Sequence, residues 1–144
     1  MAQTEQNLAN HARFDPSFHG FLVAGALILL IASIVHVVIY PNWWGAVGIF
    51  AVVWLIVLMF KVRLYAMKVQ DRVIRLEERL RLQQLLAEPL RSRIGELNEG
   101  QLIALRFGSD GEVTELVQKT LAGNLDRKGI KQLVRTWRAD TWRV

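Results

Sequence analysis

The polar and apolar positions fall into two regimes. Between Gly20 and Phe60 no position carries Asp, Glu, Lys or Arg. Gly20 to Ile39 reads GFLVAGALILLIASIVHVVI, in which only Ser33 and His36 are polar. At about 1.5 Å per residue this run is roughly 30 Å long, the thickness of a bilayer's hydrocarbon core. Tyr40-Pro41-Asn42 interrupts the pattern, and Trp43 to Phe60 continues it without an ionisable group. Pro41 has no amide donor and pushes Tyr40 away from helical geometry. The pattern therefore predicts a helical hairpin, with transmembrane helices over 20–39 and 43–60 and a turn over 40–42.

Beyond Phe60 the period changes rather than the element. No Pro or Gly occurs from Lys61 to Ala87, so the second span is expected to continue as one helix over 61–87. Val62, Ala66, Val69, Val73, Leu76 and Leu80 alternate spacings of four and three, a coiled-coil-like seam that needs a partner helix. Either a homodimer or the chain's own carboxyl-terminal helices would bury it. Asp71 with Arg75 and Glu77 with Arg81 stand one turn apart, where ion pairs form on a helix surface.

Glu88-Pro89 closes that helix, and residues 88–144 read as a small helical domain. Leu90, Ile94 and Leu97 form one short apolar face, and Leu102, Ile103, Leu105 and Phe107 a second, ended by Gly108. Ser109 and Glu112 have capping-box spacing ahead of Val113, Leu116, Val117 and Leu121. Gly123-Asn124 stops that helix. Asp126 caps a last one whose inward face is Ile130, Leu133, Val134 and Trp137. The fold class expected is an all-α membrane protein: hairpin, long cytoplasmic helix and small carboxyl-terminal helical domain.

Composition turns this pattern into an orientation. The 144 residues are 52% hydrophobic and 22% charged, with a mean hydropathy of only +0.23. From Lys61 onward, 17 Lys and Arg stand against 11 Asp and Glu. Lys61, Arg63 and Lys68 follow the second span at once, the bias that keeps a flank cytoplasmic, whereas the turn is uncharged. Tyr40, Trp43 and Trp44 flank the turn, as amphipathic rings do at the headgroup level. Both termini, including the amino-terminal segment 1–19, are expected in the cytoplasm and the turn outside. A cleaved signal peptide competes as a reading of the first span. Its apolar run exceeds the usual core of about 7–15 residues, and no basic cluster precedes it. A buried hairpin in a soluble protein also competes, but core helices of this length rarely lack all charge.

Little chemistry is encoded. The chain has no cysteine, which removes disulfides, thiolate metal sites and cysteine nucleophiles. No Walker loop, dinucleotide glycine fingerprint, His-Glu-x-x-His or serine elbow occurs. The spans lack the acids and bases of an ion path. His11 and His19 have no third ligand beside them and are expected to hydrogen-bond, with Arg13 or Asp15 as partners. His36 is the sharper candidate, because an intramembrane imidazole is costly unless paired. Ala32-x-x-x-His36 resembles the spacing of pigment-binding helices in bacterial light-harvesting proteins, which would imply haem or chlorophyll as ligand. The basic residues nearest the spans suit anionic lipid headgroups. Acids at Asp71, Glu77 and Glu78 break the basic stripe and argue against nucleic acid.

Four stretches, Asn7 to Phe14, Lys68 to Leu80 (KVQDRVIRLEERL), Gln101 to Phe107 (QLIALRF) and Thr136 to Val144 (TWRADTWRV), together resemble an uncharacterised family of small bacterial inner-membrane proteins. That family is catalogued as a domain of unknown function and sometimes labelled an ABC transporter permease. The resemblance implies a bacterial inner-membrane location and two spans, and no activity or site residues. Two uncharged spans form no translocation path.

Small residues in the spans (Gly25, Ala26, Ala32, Ser33, Gly45, Ala46, Gly48, Ala51), the unfinished seam and the Trp/Arg-rich ending are surfaces that await other membrane subunits. Trp137 and Trp142 suit either a protein or a bilayer interface. The function expected is a non-catalytic accessory or scaffold subunit of a larger membrane complex of respiratory, photosynthetic or transport type. The alternative is a membrane-anchored regulator whose cytoplasmic domain binds a ligand or protein. A third reading is pigment or haem ligation through His36.

Overall fold

The structure is a computed structural model and describes residues 7–8 and 15–140. Among the described residues it is all-helical, with no strand beyond one isolated bridge between Gly108 and Trp137. A π-helical opening, Ser17–Val23, runs into helix α1, Ala24–Ile39. Helix α2 follows as Trp43–Leu85, and a short 3-10 helix spans Arg91–Glu96. Helices α3 (Glu99–Leu105), α4 (Val113–Gly123) and α5 (Arg127–Leu133) complete the order.

The residues divide into two compact units, one over 15–67 and one over 68–140 with residues 7–8. In the first unit, the continuous helix Ser17–Ile39, formed by the π-helical opening and α1, is apolar and long enough to cross a membrane by length and composition, as is α2, whose opening part lies in this unit. Almost none of either apolar stretch is buried, and Phe21 and Trp44 are each 78% exposed. The break between them is local chemistry. The Asn42 side chain accepts from the Gly45 amide at 2.8 Å and donates to the Tyr40 carbonyl at 2.8 Å, capping the start of α2. Ser33 donates its hydroxyl to the Leu29 carbonyl one turn back, so the helix satisfies it internally.

Gly45 is buried at a close approach of α2 to Val37 of α1. A Cβ there would lie 2.5 Å from Val37 Cγ2, and a β-branched side chain has little freedom to move aside. Gly45→Val is therefore expected to lower the stability of the hairpin by about 1–3 kcal/mol, the usual cost of overpacking. An unfolding titration of the full chain in mixed micelles reads it; Gly48→Ala, at a site with open space, serves as the neutral comparison.

The second unit is built around Leu82 at the end of α2. Its core is Leu82, Leu86, Ile94, Leu97, Leu102, Leu105, Val113, Leu116, Val117 and Ile130, with Trp137 packed at its edge. Helix α2 stops at Leu85, two residues short of the expected end, and the Glu88–Pro89 peptide bond is cis. Arg91 Nε donates to the Leu86 carbonyl at 2.8 Å, giving the chain beyond the helix end a side-chain donor. A capping box opens α3: Asn98 Oδ1 accepts from the Gln101 amide and Gln101 Oε1 from the Asn98 amide, each at 2.9 Å. Gln101 Nε2 also donates to the Leu125 carbonyl at 3.0 Å, tying this turn to the end of α4. Asn124 ends α4 in the left-handed region, φ 43°, which Asn adopts more readily than other side chains. Asp126 caps α5 by accepting from the Gly129 amide at 2.8 Å.

Three local expectations are corrected. Ser109 does not cap α4, which begins after Glu112; the Glu112 carboxylate reaches back to the Ser109 amide but also accepts from the amides of Arg135 and Thr136, each at 3.1 Å. Trp137 is not on the last helix, because α5 ends at Leu133; it lies on an extended segment where Arg138 N donates to the Phe107 carbonyl at 2.8 Å and Ser109 N to the Thr136 carbonyl at 3.1 Å. The Asp71 and Glu77 carboxylates are not the partners of Arg75 and Arg81: Arg75 pairs with Glu99, and Arg81 with Glu78 and Asp110.

Candidate functional site

The two faces of α2 are used differently. Ile74, Glu78 and Leu82, each four residues apart, are buried to 7% exposure or less and form the face that carries the small domain. The sequence seam lies on the other side: Val69, Val73, Leu76 and Leu80 are 61%, 48%, 60% and 51% exposed. The chain's own carboxyl-terminal helices therefore leave that seam uncovered. Val62 is likewise exposed.

A charged acid in the middle of the buried stripe makes the domain side unusual. The Glu78 carboxylate accepts two hydrogen bonds from Arg81 Nη1, at 3.0 and 3.2 Å. Arg81 in turn donates to Asp110 Oδ1 at 2.8 Å and to the Gly108 carbonyl at 2.7 Å. Burial pushes the Glu78 carboxyl above its ordinary pKa, against the pull of the Arg81 guanidinium. Beside this cluster, Arg106 pairs with Asp140 at 3.2 Å and stacks over the Phe107 ring at 4.4 Å. Glu78, Arg81, Asp110, Arg106 and Asp140, with Ile74, Glu77, Leu80 and Arg138, line an open cleft of about 700 Å³. Most of its charges are arranged as ion pairs, Glu78 and Asp110 with Arg81 and Arg106 with Asp140, a lining suited to a polar ligand. Trp137 lies outside it, its ring 5.1 Å from that of Phe107. Trp142 lies outside the described residues.

In the first unit the basic residues divide by contact. Arg63 reaches Asp15 at 3.3 Å, with its guanidinium 4.1 Å above the Phe18 ring. Phe18 meets Phe60 edge-on at 5.7 Å. The Asp15 carboxylate accepts from the amides of Ser17 and Phe18, and the Phe18 amide and Arg63 hold its pKa below the ordinary carboxylate value. A depressed carboxylate contributes stability that is complete above the unfolded value and lost as pH falls through the folded one. Asp15→Asn is expected to remove this acid-side loss; parallel pH titrations of micelle-bound stability for the two chains check it. Lys61 lies 5.9 Å over the Tyr65 ring, and Lys68, at the edge of the second unit, is exposed.

His36 stands in the last turn of α1, its ring 5.6 Å from that of Tyr40, and is exposed. No group of three metal-ligating side chains occurs among the described residues. His19 donates from Nδ1 to the Asp15 carbonyl at 2.9 Å, whereas His11 and Arg13 lie outside the described residues. Trp43 and Trp44 are 75% and 78% exposed at the start of α2. Sequence reasoning missed the Asp15–Arg63 and Arg81–Asp110 contacts, whose members stand 48 and 29 positions apart and leave no local pattern, and the Glu78–Arg81 pair, whose i,i+3 spacing could have shown it.

A family model, described as a family of unknown function (DUF6526), matches residues 1–144. No curated protein and no solved structure matches the chain.

Proposed function

Because the chain belongs to DUF6526, a family whose function is unknown, its role has to be argued from its own geometry, and we propose that it is a non-catalytic accessory or scaffold subunit of a larger bacterial inner-membrane complex. The observation that carries this reading is the uncovered apolar surface: two long apolar helices exposed along their length, and beyond them an apolar face of α2 that the small domain does not use. Exposed patches of that extent mark membrane or protein contacts rather than solvent.

In this reading residues 20–39 and 43–60 cross the bilayer, Tyr40, Trp43 and Trp44 sit at the outer interface, and Lys61 and Lys68 face cytoplasmic headgroups, with Arg63 at the same level held by Asp15. Both termini are cytoplasmic. Purification of the full chain from its native membranes in mild detergent tests the assignment. A second subunit retained in fixed ratio is expected; a chain that comes off without any other subunit in several detergents overturns it.

The charged cleft favours a second reading, a membrane-anchored regulator whose domain binds a polar ligand, since its volume lies within the range of small-molecule sites. Ligand-induced protection of Asp110 and Arg138 amides from hydrogen exchange would distinguish that reading from a scaffold.

A further inference from the structure

We infer that Val69, Val73, Leu76 and Leu80 form a parallel two-stranded coiled coil with a second copy of this chain, in the register that sets Arg72 of each copy against Glu77 of the other. The inference rests on the membrane reading above, because two copies anchored in one bilayer send α2 out in the same direction. Written as heptads, Val73 and Leu80 occupy a and Val69 and Leu76 occupy d. The residues flanking the seam are then Arg72 and Arg79 at g, and Gln70, Glu77 and Gln84 at e. In a parallel pair each g residue meets the e residue five positions later on the other helix. Arg72 thus meets Glu77 twice by symmetry, and Arg79 meets Gln84 without conflict. In an antiparallel pair g faces g, which would set Arg72 and Arg79 of the two copies against each other.

This self-complementarity selects the occupant. A foreign helix would need a single complementary sign along each edge, whereas here one chain supplies both halves of the ion pair at the spacing that joins them across a two-fold axis. Arg72, Glu77 and Arg79 are exposed and enter none of the ion pairs found among the described residues. The small domain holds the other face of the same helix through Ile74, Glu78 and Leu82, so the seam is preformed; Val69, Val73 and Leu76 stand clear of the domain, and Leu80 and Glu77, which border the open cleft beside it, remain exposed. Preformation matters because two heptads are too short to dimerise well from a disordered start. Confinement of both copies to one membrane raises their effective concentration further. Gln83 at the next d position and the helix end at Leu85 close the seam.

The absence of native cysteine makes the test direct. Full-length single-cysteine chains, Leu76→Cys on the seam and Lys68→Cys off it, are oxidised mildly in native membranes and run on non-reducing gels. Leu76→Cys is expected to give a disulfide species of twice the chain's mass, and Lys68→Cys little. Arg72→Glu in the Leu76→Cys chain is expected to lower that yield roughly fivefold, as two attractive pairs become repulsive. Adding Glu77→Arg should restore it. Equal yields at the two cysteines, an adduct of any other mass at Leu76→Cys, or no rescue by the charge swap overturns the inference. Fractionation of the same samples separates the two possible failures: a membrane-bound chain without the seam cross-link overturns the dimer alone, and a soluble chain overturns the membrane reading.

Discussion

Arg81→Met is expected to destabilise the small domain by about 3–5 kcal/mol, the penalty of leaving a buried charge without its partner. The Glu78 side chain is 3% exposed and that of Arg81 11%, so the carboxylate depends on the guanidinium more than on solvent for its partner. The same substitution removes the donor to the Gly108 carbonyl and the contact with Asp110. Methionine keeps most of the aliphatic stem, which confines the change to charge and hydrogen bonding. Denaturant titration of the full chain in detergent, followed through the exchange protection of α3–α5 amides, reads the loss at the domain. A loss under about 1 kcal/mol would mean that the cluster is solvated and stabilises nothing.

Two further variants separate charge from packing. In Glu78→Leu with Arg81→Met both charges leave together, and most of the loss should return, because apolar residues of similar volume replace buried ion pairs at little cost. A residue of about 1 kcal/mol remains for the Gly108 carbonyl. The pH dependence gives the sign independently. Burial raises the folded-state pKa of Glu78, so its protonation favours the folded chain, and stability from this group is lost as pH rises through that raised value. Without Arg81 the pull toward ionisation is gone. The gap between parent and Arg81→Met should therefore shrink on acidification toward the ordinary carboxylate range.

The elements that local chemistry determines were legible in the sequence. Pro41 and Asn42 mark the break between the apolar helices, Asp126 caps α5, and Asn124 closes α4, each through contacts within four residues. The Asn98-x-x-Gln101 capping box was equally local and could have been read from its spacing. What the sequence concealed was the choice between two stripes on α2. The heptad seam is the cleaner apolar pattern, yet the domain packs on Ile74, Glu78 and Leu82, where an acid interrupts the stripe. Arg81 pairs with that acid while also holding a loop 27 residues away. Trp137 misled for a similar reason. Its helical spacing from Ile130 and Val134 continues the apolar face, but the Glu112 carboxylate captures the amides of Arg135 and Thr136 and pulls the chain out of α5.

A paired substitution on α2 turns that choice of face into a measurement. Val73 and Leu82 are nine residues apart, two and a half turns at 3.6 residues per turn, and so lie on opposite sides of the helix. Leu82 is fully buried in the domain core, and Leu82→Ala should cost about 2–5 kcal/mol through lost burial and the cavity left behind. Val73 is 48% exposed, and Val73→Ala should change the domain's own stability by no more than about 0.5 kcal/mol. Its effect should appear instead as weaker self-association, since it removes an a-position side chain from the seam. The two variants thus exchange roles between two readouts, exchange protection of α3–α5 and the yield of the Leu76→Cys cross-link. If Val73→Ala weakened the domain as much as Leu82→Ala, the seam would be part of the fold and not a surface. If Leu82→Ala left the domain intact, α2 would carry it by some contact other than the buried stripe.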